Sequence, residues 1–234
     1  MQDVRAALVA AADPDAATVL ARYFQARPGG YGEGDRFIGV KLSTIRRLVA
    51  AHCRSPFVPM DWRDMLHSRV HEERLAALVV MAERAVRGPS SERELIYDTY
   101  LAATRWIDNW DLVDVSAAPV VGGWLLTRDR TPLYTLAGSA LLWERRIAVV
   151  ATHQLIRAGL TEDTYRLAVA LRSDREDLIH KAVGWMLREA GRRVDEAELR
   201  GFLDAYAPEL PRTTLRYAVE RFTPDVRLHY RQLR

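Results

Sequence analysis

A chain of 234 residues has room for one domain, or two small ones, with an ample apolar core. Hydrophobic residues make up 49% and charged residues 28%, a balance that excludes a disordered chain. Against 31 acidic residues stand 34 basic ones, so the net charge is only +3 and the chain is not strongly basic.

The kind of base says more than the count. Lysine occurs only at Lys41 and Lys181, and every other basic residue is arginine, whose planar fork suits phosphate. GC-rich coding produces the same bias, so composition leaves both explanations open. The single cysteine, Cys53, excludes an internal disulfide and a cysteine-based zinc cluster, and a buried thiol is expected there. The N-terminal residues lack the basic and apolar pattern of a signal peptide, and no run approaches the ~20 apolar residues of a membrane span. A cytoplasmic protein is the expectation.

In chain order, the first irregular segment is Pro28-Gly29-Gly30-Tyr31-Gly32-Glu33-Gly34-Asp35. Its glycines lack the order of a phosphate loop, so it reads as a long flexible connection. Glu72 to Val86 follows with apolar residues three and four apart, the helical period, and segments 139–157, 177–191 and 211–222 repeat it. Helix stops and caps separate them at Gly88-Pro89-Ser90-Ser91, Thr131-Pro132, Gly159, Ser173-Asp174 and Pro208. Alternating strand patterns are missing, and no Ser- or Pro-rich linker divides the rest. The expectation is a single all-α domain spanning 1–234.

An internal repeat refines it. Arg74-Leu-Ala-Ala-Leu78, Arg146-Ile-Ala-Val-Val150, Lys181-Ala-Val-Gly-Trp185 and Arg216-Tyr-Ala-Val-Glu220 share one pattern, at intervals of 72, 35 and 35 residues. Half of the first interval points to Trp110-Asp-Leu-Val-Asp114 as a further member. A period near 36 predicts an α-solenoid of HEAT-like helix pairs. Residues four apart share a helix face. The pairs Arg74/Leu78, Trp110/Asp114, Arg146/Val150, Lys181/Trp185 and Arg216/Glu220 are thus expected to form a ladder on one surface, the concave one. A ladder position for Arg146 implies that its truncation leaves stability largely intact.

Arg105-Trp-Ile-Asp-Asn-Trp-Asp-Leu-Val-Asp114 is the most unusual segment, with two Trp and three Asp in ten residues. Asn109 or Asp108 suits a helix N-cap and Asp111 the first turn, which would make Trp106 and Trp110 core residues. Asp114 lies beyond that turn and invites a functional reading. Trp185 is open to both readings, and Gly184 before it lets a helix or a ligand approach. Arg145 and Arg146 point about 100° apart on a helix, so at most one belongs to the ladder. His67 and His71 are spaced for two metal ligands, but no third ligand is evident and no metal site is expected. The segment from Pro211 to Arg234 holds six Arg against Glu220 and Asp225, a candidate phosphate-binding edge.

Four motifs occur in order: Phe37-Ile-Gly-Val-Lys-Leu-Ser-Thr-Ile-Arg46-Arg47, Asn109-Trp-Asp-Leu-Val-Asp114, Leu142-Trp-Glu-Arg-Arg-Ile-Ala148 and Lys181-Ala-Val-Gly-Trp-Met-Leu-Arg-Glu189. Together they resemble the AlkD-like DNA alkylation repair family of HEAT-like-repeat DNA glycosylases, over roughly residues 15 to 230. The resemblance implies excision of cationic N3- and N7-alkylated purines from duplex DNA, with Asp114, Trp110, Trp185 and Arg146 as the catalytic set. It also implies duplex contacts at Tyr23 and Lys41. The bases Arg74, Arg145, Lys181, Arg212 and Arg216 are further expected DNA contacts. No cofactor, metal, membrane or obligate protein partner is called for. Two other readings compete: a non-catalytic solenoid that binds damaged or branched DNA, and a protein-binding solenoid.

Overall fold

Long stretches of Ala, Leu, Arg and Glu favour helix, and the computed structural model, which describes residues 2–233, is helical throughout. Its only strand-like pairing among the described residues is an isolated parallel bridge between Arg36 and Val70. Contacts divide the chain into two units, Met1–Val120 and Val121–Arg234. No linker composition announces that division. It falls at a π-helical turn, Ala118–Gly122, where Pro119 cannot donate the backbone hydrogen bond that would continue an α-helix.

The first unit holds α1 (Gln2–Ala10), α2 (Pro14–Tyr23), α3 (Leu42–Leu48), α4 (Pro59–Leu66), α5 (His71–Arg87), α6 (Ser90–Ala102) and α7 (Trp110–Ala117). Helix α5 is its core. Residues Leu75 to Ala82 are buried without a break, the mark of a helix enclosed on all sides, and α3, α4, α6 and α7 pack around it. Cys53 is buried, as expected.

The second unit holds α8 (Gly123–Leu125), α9 (Thr131–Ala137), α10 (Leu142–Arg157), α11 (Glu162–Ala170), α12 (Asp177–Arg193), α13 (Glu196–Tyr206), α14 (Arg212–Ala218) and α15 (Pro224–Gln232). Its central layer runs through α10, α12 and α14. Gly184 answers to α14: a Cβ there would collide with the Thr214 carbonyl and the Tyr217 Cβ, so the absent side chain lets two helices close up.

Helix starts at residues 71, 110, 142, 177 and 212 reproduce the helix-pair repeat. The all-α, HEAT-like class expected of the sequence is the class observed. The register differs in part. Arg146, Lys181 and Arg216 each stand five residues past their N-caps, Leu141, Glu176 and Pro211, and so does Asp114 past Asn109. Arg74 stands four past Val70, and Trp110 directly follows its cap.

Candidate functional site

Asn109 starts the candidate site of the first unit. It is fully buried, sits in an extended conformation and accepts a hydrogen bond from the Trp110 amide at 2.8 Å, starting α7 at that residue. Asp114 follows one turn later on the same face. Trp110 is half-buried. Its ring centroid lies 5.1 Å from Phe24 and 5.8 Å, edge-on, from Tyr23. The indole N–H donates to the Tyr31 hydroxyl at 3.2 Å, and that hydroxyl donates to the Tyr23 carbonyl at 3.3 Å. Tyr23 itself is 62% exposed. Asp114 is half-buried rather than sealed in the interior. Burial first, and the Asp114 charge in addition, raise the pKa of the Tyr100 phenol.

Beneath α7 lies a charged cluster that the sequence did not reveal. His71 is 1% exposed, its ring stacked at 4.5 Å on Phe37. One ring nitrogen meets Asp35 at 2.7 Å and the other meets Asp111 at 2.8 Å. Burial works to lower its pKa, but the hydrogen bonds and charges of Asp111 and Asp35 outweigh it and push the imidazole up to about 9. Burial likewise opposes the charge on Asp35, yet His71 and Arg74 hold its carboxyl below the usual range. Both histidine nitrogens serve carboxylates, so the His67/His71 spacing has a structural meaning; His67 instead lies 5.3 Å from the Trp106 ring. Only the aspartates flanking the glycine-rich and Trp-rich segments hinted at this cluster.

Arg74 belongs to the same cluster, which corrects its expected place on a DNA-facing ladder. The side chain is enclosed, and its guanidinium donates to the Ser68 carbonyl at 2.8 Å, to Asp35 at 2.9 Å and to Asp108 at 3.0 Å. Asp108 therefore pairs with Arg74 rather than capping a helix. Leu78 is buried as well. The glycine-rich segment is also no loose connection. Glu33 accepts from the Gly29 amide at 2.8 Å, and successive turns run from Arg27 to Asp35. Glu72, buried, then accepts from the Ile38, Gly39 and Val40 amides.

In the second unit, Arg145 is tied to Asp174 at 2.6 Å and to the Ser139 and Ala140 carbonyls at 3.0 Å. Arg146 is 5% exposed and donates to the Leu178 carbonyl at 2.6 Å, joining α10 to α12. Val150 is buried. Trp185 is half-buried with its ring centroid 5.9 Å from His153. Lys181 pairs with Asp177 on the same helix at 2.8 Å. Arg212 and Arg216 stand exposed on α14, with Arg216 over the Tyr217 ring. Arg188 pairs with Glu220, and with Arg216 and Tyr217 they line a cavity of about 420 Å³. Arg234 lies outside the described residues. In the first unit, Lys41 is exposed at the N-cap of α3.

The sequence profile of the DNA alkylation repair enzyme family matches residues 4–222. The chain belongs to this family. Membership gives the protein a role in alkylation repair, with DNA as its partner. Among solved structures it is similar to a protein described as a predicted DNA alkylation repair enzyme from Enterococcus faecalis, with a TM-score of 0.69 and 16% identity over 91% of this chain and 97% of that one. At that identity the likeness shows the shared fold. A comparison with curated proteins gives no match. Among the described residues no helix is long and apolar enough to cross a membrane.

Proposed function

We propose that this alkylation-repair protein is a monofunctional DNA glycosylase that removes cationic N3- and N7-alkylated purines from duplex DNA. The observation that supports the reading most is the face of α7: a half-buried carboxylate, Asp114, one turn from an indole, Trp110, that is built into an aromatic cluster. An alkylated purine already carries positive charge and leaves as a neutral base, taking the electrons of the C1′–N bond. No general acid or cofactor is required. The sugar left behind develops oxocarbenium character, which the Asp114 carboxylate stabilises by charge while orienting a water toward C1′ and taking its proton. The face of Trp110 attracts the same cation, at about 0.5–2 kcal/mol. In the second unit Arg146, Trp185, Lys181, Arg212 and Arg216 are proposed contacts to the DNA, and in the first unit Tyr23 and Lys41.

The deciding experiment incubates methylated duplex with the protein and with Asp114→Asn, and measures freed 7-methylguanine by chromatography. The wild-type protein is expected to release it and the variant to do so about 100- to 1,000-fold more slowly. Equal rates for the two would remove Asp114 from the mechanism. Salt-dependent duplex binding with no base released would instead favour a non-catalytic binder.

A further inference from the structure

The glycine-rich segment is ordered, and its central side chain reaches the indole of Trp110. We infer that Tyr31 is a positioning residue: its hydroxyl fixes the orientation of the Trp110 ring that the proposed excision chemistry uses, so the inference rests on that reading. The hydroxyl serves as a relay. It accepts from the Trp110 indole N–H at 3.2 Å and donates to the Tyr23 carbonyl at 3.3 Å. An indole N–H has one direction and no acceptor capacity, so this bond selects one ring orientation among those that Phe24 and Tyr23 would tolerate.

Three further features fix the backbone around Tyr31. Glu33 closes the turn through the Gly29 amide at 2.8 Å. Gly32 is buried, and a Cβ there would collide with the Phe24 carbonyl, so the backbone passes where only glycine fits. At the far end Asp35 is clamped by His71 and Arg74. Both ends of the path from α5 to the indole are thus fixed. The same cluster reaches α7 directly, because Asp111, next to Trp110, takes the other nitrogen of His71. The loop and the helix that carry the two bonded groups hang from one imidazole. An indole carried by α7 and tied through its N–H to the Tyr31 hydroxyl keeps its face where a developing cation would need it, and small misplacements of such groups lower rates steeply.

Tyr31→Phe keeps the ring and removes the relay. Single-turnover excision from methylated duplex is expected to fall about threefold to tenfold, with the affinity for undamaged duplex unchanged and the thermal midpoint lowered by about 6 °C at most. In a Trp110→Phe background, which has no indole N–H, adding Tyr31→Phe should change nothing further. Nitrogen-15 NMR of the indole N–H groups supplies a readout independent of catalysis. The resonance that disappears in Trp110→Phe should shift in Tyr31→Phe as it loses its acceptor. An active wild-type protein whose Tyr31→Phe variant excises at full rate would overturn the inference, as would equal losses with and without Trp110. If the wild-type protein excises nothing, the glycosylase reading fails, and the indole resonance alone then decides: a shift supports the Tyr31 relay and an unmoved peak ends it.

Discussion

Arg145 does in α10 what Arg74 does in α5. Each stands four residues past its helix N-cap and donates to the carbonyl of the serine six residues earlier, Ser139 at 3.0 Å and Ser68 at 2.8 Å. Each also grips a buried carboxylate from another segment, Asp174 in one case and Asp35 in the other. The equivalent of Arg74 is therefore Arg145, and the true offset is 71 residues rather than 72. These arginines staple the start of a buried helix to the loop before it.

That equivalence predicts a division among the arginines. Removing one partner of a buried ion pair leaves an uncompensated charge, at a cost of about 3–5 kcal/mol. Arg74→Gln and Arg145→Gln should lower stability on that scale in denaturant titrations, without changing the salt dependence of duplex binding. Arg212→Ala and Arg216→Ala, at exposed positions, should behave oppositely. Stability should hold within about 0.5 kcal/mol, while each lowers the slope of log affinity against log salt by about 1.

Arg146 is structural in the folded chain and a DNA contact in the proposed function. Its guanidinium donates to the Leu178 carbonyl in a buried setting, so the expectation that truncation spares stability does not survive. Losing this buried hydrogen bond from a charged donor costs about 1.5–3 kcal/mol. Arg146→Ala should accordingly lower the thermal midpoint by about 2–10 °C as well as slow excision. Differential scanning calorimetry beside the release assay separates the two effects.

His71 makes stability depend on pH. Its pKa is raised from 6.5 to about 9 in the folded chain, so the folded state binds a proton that the unfolded chain has lost above neutrality. The resulting stabilisation is complete below about pH 6.5 and disappears as the pH climbs through about 9. Thermal midpoints measured from pH 6 to pH 10 should fall across that window. His71→Gln should start lower and lose most of that slope. Asp35 acts at the other end, because its carboxyl sits below the usual range; its contribution is present above about pH 4 and is lost in stronger acid.

Two helical glycines should respond in opposite directions to alanine. Gly184→Ala drives a methyl into the Thr214 carbonyl and Tyr217 on α14, and overpacking of this kind costs about 1–3 kcal/mol. Gly201, exposed on α13, has open space where a Cβ would go, so Gly201→Ala should gain about 0.5–1 kcal/mol from helix propensity. Urea midpoints of the two variants provide the check.

Helical period, caps and repeat length were determined by the sequence alone. Apolar spacing in 72–86 marked α5, the pair Asp108 and Asn109 bracketed the start of α7, and the 35-residue interval from Arg146 through Lys181 to Arg216 returned as equal steps between helix starts. These are local properties, set by which residues tolerate a turn of helix and which interrupt it. Tertiary structure decided which arginines face water. Arg74 and Arg145 look like Lys181 in a string of letters, yet their partners, Asp35 and Asp174, lie 39 and 29 residues away. Spacing along one helix cannot report a carboxylate brought in from another segment, and a one-residue change of register turns a side chain by about 100°. The same holds for Tyr31 and Trp110, 79 residues apart and joined by a single hydrogen bond: chain proximity plays no part in it, and only the packing of the glycine-rich loop against α7 creates it.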